Sequence, residues 1–205
     1  MDLFATFVLQ LFIIVDPVAG VPVFLSITPN NSADERRIMA RRGCLVAFLL
    51  VDFFILCGPQ LLGYFGISTP AVRITGGVLL FAIALEMLYG RATATQTTPR
   101  EERLAEVKPD ISITPLAIPL LAGPGAIANC LLFSRRAETV SDFLILLGGA
   151  AAVFACTYLM LVRASTLARM LGSLGTTILT RVMGLILAFL SAQYVIDGVS
   201  AVLRG

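Results

Sequence analysis

Four carboxylates lie within or at the edge of long apolar runs: Asp16, Asp52, Glu86 and Asp197. A carboxylate in hydrocarbon is costly, and it usually marks a ligand or proton path. Asp16 has the most telling neighbours. In the stretch Val15-Asp16-Pro17-Val18-Ala19-Gly20-Val21-Pro22 it stands among two prolines and a glycine, inside an apolar run from Leu3 to Ile27. Such a group can hold a substrate ammonium or take up a coupling proton. It can also cap a half-helix beginning at Pro17, since Asp before a proline at the first helical position is a helix start. Asp52 is the second candidate for a coupling proton. Glu86 and Asp197 lie close to the ends of their apolar runs and are expected to reach water. Arg73 and Arg181 begin such runs and read as interface anchors.

A second cluster of helix breakers, Pro119, Gly123, Pro124 and Gly125, interrupts a later apolar run, with Asn129 one turn beyond. Proline removes a backbone donor and clashes with the preceding turn, while glycine tolerates non-helical backbone. In hydrocarbon, freed N–H and C=O groups persist only where protein encloses them or water reaches them. Two such breaks are expected to enclose a pocket. Half-helix N-termini there would face an anionic group and C-termini a cation, which suits a zwitterion such as an α-amino acid. The predicted substrate-binding set is therefore Asp16, Pro17, Gly20, Pro22, Pro119, Gly123, Pro124, Gly125 and Asn129.

The chain has no histidine, which excludes Ser-His and Cys-His catalysis and removes the commonest metal ligand. No enzyme activity, metal or cofactor is expected. The four cysteines, Cys44, Cys57, Cys130 and Cys156, lie in apolar runs without metal-ligand spacing and read as small buried hydrophobes. A net charge of +2 gives no reason to expect nucleic acid.

The elements that must position these groups follow from composition. Of 205 residues, 58% are hydrophobic and 14% charged, with a mean hydropathy of +0.92. This composition predicts an all-α integral membrane protein. Six spans are expected, at about 3–27, 43–65, 70–90, 111–133, 142–162 and 181–203. The segment 91–110, with four basic and four acidic residues, reads as a polar linker. Of the 15 basic residues, 11 fall in the first, third and fifth loops, which places those loops in the cytoplasm and both termini outside.

The two halves of the chain resemble each other. Arg73, Gly76, Phe81, Ala84 and Gly90 recur as Arg181, Gly184, Phe189, Ala192 and Gly198, offset by 108 residues. At an offset of 107, Pro17 matches Pro124 and Ala19 matches Ala126. An odd number of spans in each half forces the copies into opposite orientations, so the expected architecture is a 3+3 inverted repeat with its first and fourth helices broken in mid-membrane. The units are 1–90, the linker 91–110, and 111–205. The small-residue run Leu146–Thr157 provides a close-packing face, either within the chain or for a homo-oligomer.

The segments DPVAGVPVF, ITGGVLLFAIA, PLAIPLLAGPGAI and RVMGLILAFLSAQYVIDGV, in this order, resemble the MarC family of bacterial inner-membrane proteins, which includes SnatA-type neutral amino acid transporters. The resemblance implies a multi-pass inner-membrane carrier, an exporter or exchanger, for small neutral amino acids such as glycine and alanine, with proton coupling. Asp16, Pro17 and Pro22 match the family's D-P-x-G-N-x-P pattern, while Ala19 and Gly20 stand where Gly and Asn are usual. Pro115, Pro119, Gly123 and Pro124 match its second pattern, P-x3-P-x3-G-P. The alternatives are a non-transporting membrane scaffold or regulator, and a channel.

Overall fold

The structure is a computed structural model and describes residues 3–90 and 112–204; the expected linker at 91–110 falls outside the described residues. Among these residues there are helices and no strands. α1 (Leu3–Val15) and α2 (Pro17–Ser26) form one apolar stretch interrupted at Asp16. The cause is local. Pro17 has no N–H for the Ile13 carbonyl, and it disfavours α geometry in the residue before it. Asp16 accordingly takes φ 41°, ψ 66°, in the left-handed region that Asp tolerates better than most residues.

α3 (Ala33–Tyr64) begins ten residues before the apolar run from which its span was expected at 43–65. The extension rests on a capping box: the Glu35 N–H donates to Ser32 Oγ at 3.3 Å, and the Ser32 N–H donates to Glu35 Oε2 at 2.7 Å. α4 (Thr69–Tyr89) is capped by Ser68 and stops at Gly90, whose φ of 64° is a left-handed C-cap suited to glycine.

The second interrupted stretch begins with a π-helix, π1 (Ser112–Leu121). Pro115 and Pro119 fall within it, and neither can donate a backbone hydrogen bond. Wider turns persist to its end, where the Ala122 N–H donates to the Ala117 carbonyl at 2.9 Å. The chain breaks at Ala122–Gly123 and resumes as α5 (Pro124–Ser134), with Pro124 at its first position. α6 (Val140–Val162) follows a second capping box, Thr139 with Asp142.

α7 (Ala164–Arg204) is longer than the span expected at 181–203 and is kinked at Gly172 (φ 61°, ψ 179°). The residues before 181 are polar enough to read as a loop, yet they are helical on both sides of that glycine.

Five stretches, Leu3–Ser26, Ala33–Tyr64, Thr69–Tyr89, Val140–Val162 and Ala164–Arg204, are long and apolar enough to cross a membrane. Their outer faces confirm the solvent. Leu45, Leu49, Phe53 and Leu56 form an exposed apolar stripe on α3, while its buried face includes the small residues Ala40, Gly43, Cys44 and Ala47. Greasy outside and small inside is the pattern of helices packed in lipid. The molecule is an all-α integral membrane protein.

Inside, α3 packs on α6, and α4 packs along α7. α1 lies on α6, π1 on α3, α2 on α7 and α5 on α4. Phe7 and Phe133 meet edge to face at the centre, with ring centroids 5.2 Å apart. Glycines bring the α4 and α7 backbones together: a Cβ on Gly77 would sit 2.8 Å from the Ser191 carbonyl oxygen, and one on Gly198 3.1 Å from that of Pro70.

Candidate functional site

The break at Asp16 opens into a cavity of about 250 Å³. One wall is Val15, Asp16, Ala19, Gly20, Pro22 and Val23, from the end of α1 into α2; a second is Glu86, Met87 and Gly90, at the end of α4; a third is Thr176, Thr177 and Thr180, just after the kink in α7; and Leu120 of π1 completes it. Asp16 is 7% exposed, and its two carboxylate oxygens have different tasks. Oδ1 accepts from the Ala19 N–H at 3.2 Å and so caps α2. Oδ2 is buried without a hydrogen-bond partner. Unmade hydrogen bonds to a buried carboxylate are expensive, which singles out Asp16 as a residue of this wall that is short of a partner.

The second break is built otherwise. Gly123 caps α5 without any side-chain hydrogen bond. The cavity beside it measures about 510 Å³ and is apolar, with Ile118, Ala122, Pro124, Ile127 and Ala128 from the interrupted stretch facing Val72, Gly76 and Leu79 of α4. Gly125 is wedged among Leu80, Ile83 and Ile14, so the second break touches the last turn of α1.

Between the breaks and the opposite end of the bundle lies a buried polar cluster. The Tyr194 hydroxyl donates to Gln10 Oε1 and approaches Asn129 Oδ1 at 3.2 Å. One hydroxyl proton cannot fully serve both. Rotating the Asn129 amide gives the consistent chain Asn129 N–H to Tyr194 O–H to Gln10. As placed, Asn129 is fully buried with Nδ2 unpartnered.

The predicted residues thus separate. Asp16, Gly20 and Pro22 share the first cavity, with Pro17 buried behind it at the start of α2. Pro124 lines the second cavity; Gly123 and Gly125 are buried next to it, and Pro119 falls within π1. Asn129 belongs to the tyrosine cluster, not to either cavity. Asp52 is half-buried on α3, with Oδ1 unpartnered and no place in either cavity wall. Glu86, expected to reach water, stands in the wall of the first cavity, whereas Asp197 is bonded by Gln193 on the surface.

Sequence reading missed Thr176, Thr177, Thr180, Tyr194 and Gln10. The threonines had a signal, hydroxyls four, five and eight residues after Gly172. It was hidden because that stretch looked like a loop. Among the described residues, no group of His, Cys, Asp or Glu is placed to hold a metal.

Comparison with known proteins agrees with an integral membrane protein. The chain is 35% identical over 194 residues to a UPF0056 membrane protein of Methanocaldococcus jannaschii, covering 95% of this chain and 94% of the relative. It is 34% identical to the UPF0056 membrane protein YvbG of Bacillus subtilis, covering 88% and 86%. For YhcE of Escherichia coli the figures are 32% identity, 97% and 93%. No solved structure matches. Residues 1–203 match the family described as MarC family integral membrane protein, and the chain belongs to that family.

Proposed function

We propose that this protein is a secondary transporter, and not an enzyme, that carries small neutral amino acids such as glycine and alanine across the inner (plasma) membrane, with Asp16 central to the ligand site. One observation carries the reading. A carboxylate at a break in a membrane span, on a residue in the wall of a cavity, keeps one oxygen for its own helix and leaves the other buried and unpaired. At about 250 Å³ the cavity falls just below the roughly 300–1,000 Å³ typical of sites for larger small molecules. A ligand of a few heavy atoms fits it.

The packing supports the inverted-repeat reading that underlies alternating access. Exchanging α1–α2 with π1–α5, α3 with α6 and α4 with α7 turns the α1–α6 contact into π1–α3 and the α2–α7 contact into α5–α4, both of which occur. On this reading π1 and α5 make the sixth crossing. The basic-residue bias puts both termini on the periplasmic side, so the Asp16 cavity lies in the cytoplasmic half and the Tyr194 cluster closes the other half. Asp16 and Asp52 are the groups proposed to carry a coupling proton.

The test is uptake of labelled glycine and alanine by vesicles containing the purified protein, wild type against Asp16→Asn. Saturable flux that is lost in the variant is the expected result. Absence of saturable flux across a panel of amino acids overturns the proposal.

A further inference from the structure

The Asp16 cavity is nearly devoid of hydrogen-bond donors. The Ala19 N–H is taken by Asp16 Oδ1, the Gly20 N–H by the Asp16 carbonyl at 3.0 Å, and the Gly90 N–H by the Glu86 carbonyl. Pro22 has none. The hydroxyls of Thr176 and Thr177 donate backwards to carbonyls of Gly172 and Ser173, which leaves their lone pairs as acceptors. Among the described lining residues, only the Thr180 hydroxyl is an uncommitted side-chain donor, and none of these residues is basic. Arg181 is not a lining residue, although its Nη2 lies 3.9 Å from the Cβ position of Gly90.

Backbone dipoles add to the same sign. α1 ends at Val15 and α4 at Tyr89, so two helix C-termini, with carbonyls lacking helical donors, terminate in the cavity wall. The one N-terminus there, that of α2, is already neutralised by the Asp16 cap. The first residues after the α7 kink, Ser173 to Gly175, do not line the cavity.

We infer that this cavity is a subsite for a single positive charge, an ammonium group or a monovalent inorganic cation, and that it offers no seat for a carboxylate. The inference rests on reading the Asp16 cavity as the ligand site, and it sharpens that reading: the cavity grips a ligand by its cationic end, and an amino acid's carboxylate must be bound elsewhere or left near Arg181.

Thermal unfolding of the purified full-length protein in detergent tests this, with N-methyl-D-glucamine chloride as background and four probes: alanine, ethylammonium, sodium, and propionate as its N-methyl-D-glucamine salt. Ethylammonium, sodium or both should raise the midpoint, and propionate should not. Asp16→Asn should weaken the effective cation about tenfold or more, the size expected for losing a charged hydrogen-bond partner. Asn caps a helix as well as Asp and tolerates the left-handed region, so this variant should keep the fold. Thr180→Val, nearly isosteric, gives a second reading of the same wall. Stabilisation by propionate equal to that by ethylammonium overturns the inference. So does stabilisation by alanine with neither cation effective, which would leave amino acid transport standing. Cation binding without any effect of amino acids would uphold the inference and remove the amino acid reading. The relative response to ethylammonium and sodium separates the two sources of charge.

Discussion

The two interrupted stretches use the same backbone device and reach opposite chemistries. Each has a half-helix beginning at proline, and each break has a cavity beside it. Positions offset by 107 or 108 residues line both cavities: Val15 and Ala122, Gly20 and Ile127, Thr180 and Val72. At the break itself Asp16 is offset from Gly123 by the same interval. At these matched positions the first stretch has a carboxylate and a hydroxyl where the second has a glycine and the hydroxyl's isostere, valine, and Thr75 is the one polar side chain among the described residues of the second wall. Outside the second cavity the contrast continues, since Pro22 and Glu86 of the first wall are offset by 107 and 108 residues from Asn129 and Tyr194, which are bound to each other. A broken span supplies a place where backbone is tolerated. The side chains around it decide whether that place attracts charge.

Six variants, in four groups, press on this contrast. The largest effect is expected from Asp16→Asn, which keeps the cap but removes the charge: vesicle flux should fall by about 10- to 100-fold, in line with the roughly 1.5–3 kcal/mol of a charged hydrogen bond. Its unfolding midpoint should stay close to that of wild type. Next come the glycines. A Cβ on Gly125 would lie 2.8 Å from Leu80 Cδ2 and 3.0 Å from Ile83 Cδ1, so Gly125→Val should cost about 1–3 kcal/mol by overpacking. Gly20 has nothing within 4 Å of its Cβ position, so Gly20→Ala should instead raise stability by up to about 1 kcal/mol while narrowing the first cavity. Its effect on transport should be greater for alanine than for glycine. Tyr194→Phe should destabilise by about 1 kcal/mol through loss of the Gln10 and Asn129 bonds, read by chemical denaturation. The smallest effect belongs to the isosteric pair: Thr180→Val should weaken ligand binding only a few-fold, within about 1 kcal/mol. Val72→Thr should leave ligand binding unchanged; if it alters binding as much as Thr180→Val does, the two cavities are not chemically distinct.

The break at Asp16 was legible in the sequence because proline and its predecessor act within a few residues, and no distant contact is needed to forbid the helix. The same locality made the second break readable, although the π geometry of its first half depends on how the chain shares out carbonyls between two prolines. Helix ends were read less well. Apolar runs mark where lipid begins, but the Ser32 capping box carries α3 beyond that point. Most of the cavity wall was hidden for another reason. Thr176 and Glu86 meet Asp16 only because α2 and α4 both pack on α7, and no spacing along the chain encodes that meeting. Tyr194 and Gln10, 184 residues apart, were out of reach for the same reason.

The glycine seats between α4 and α7 have a mechanical consequence. With glycines seated against both side chains and carbonyls of the facing helix, these helices pack too closely to slide freely, and a shift of either would drive atoms into its neighbour. They act as a fixed post, so if the proposed transport holds, exposing the buried carboxylate to alternate sides of the bilayer would fall to the interrupted spans.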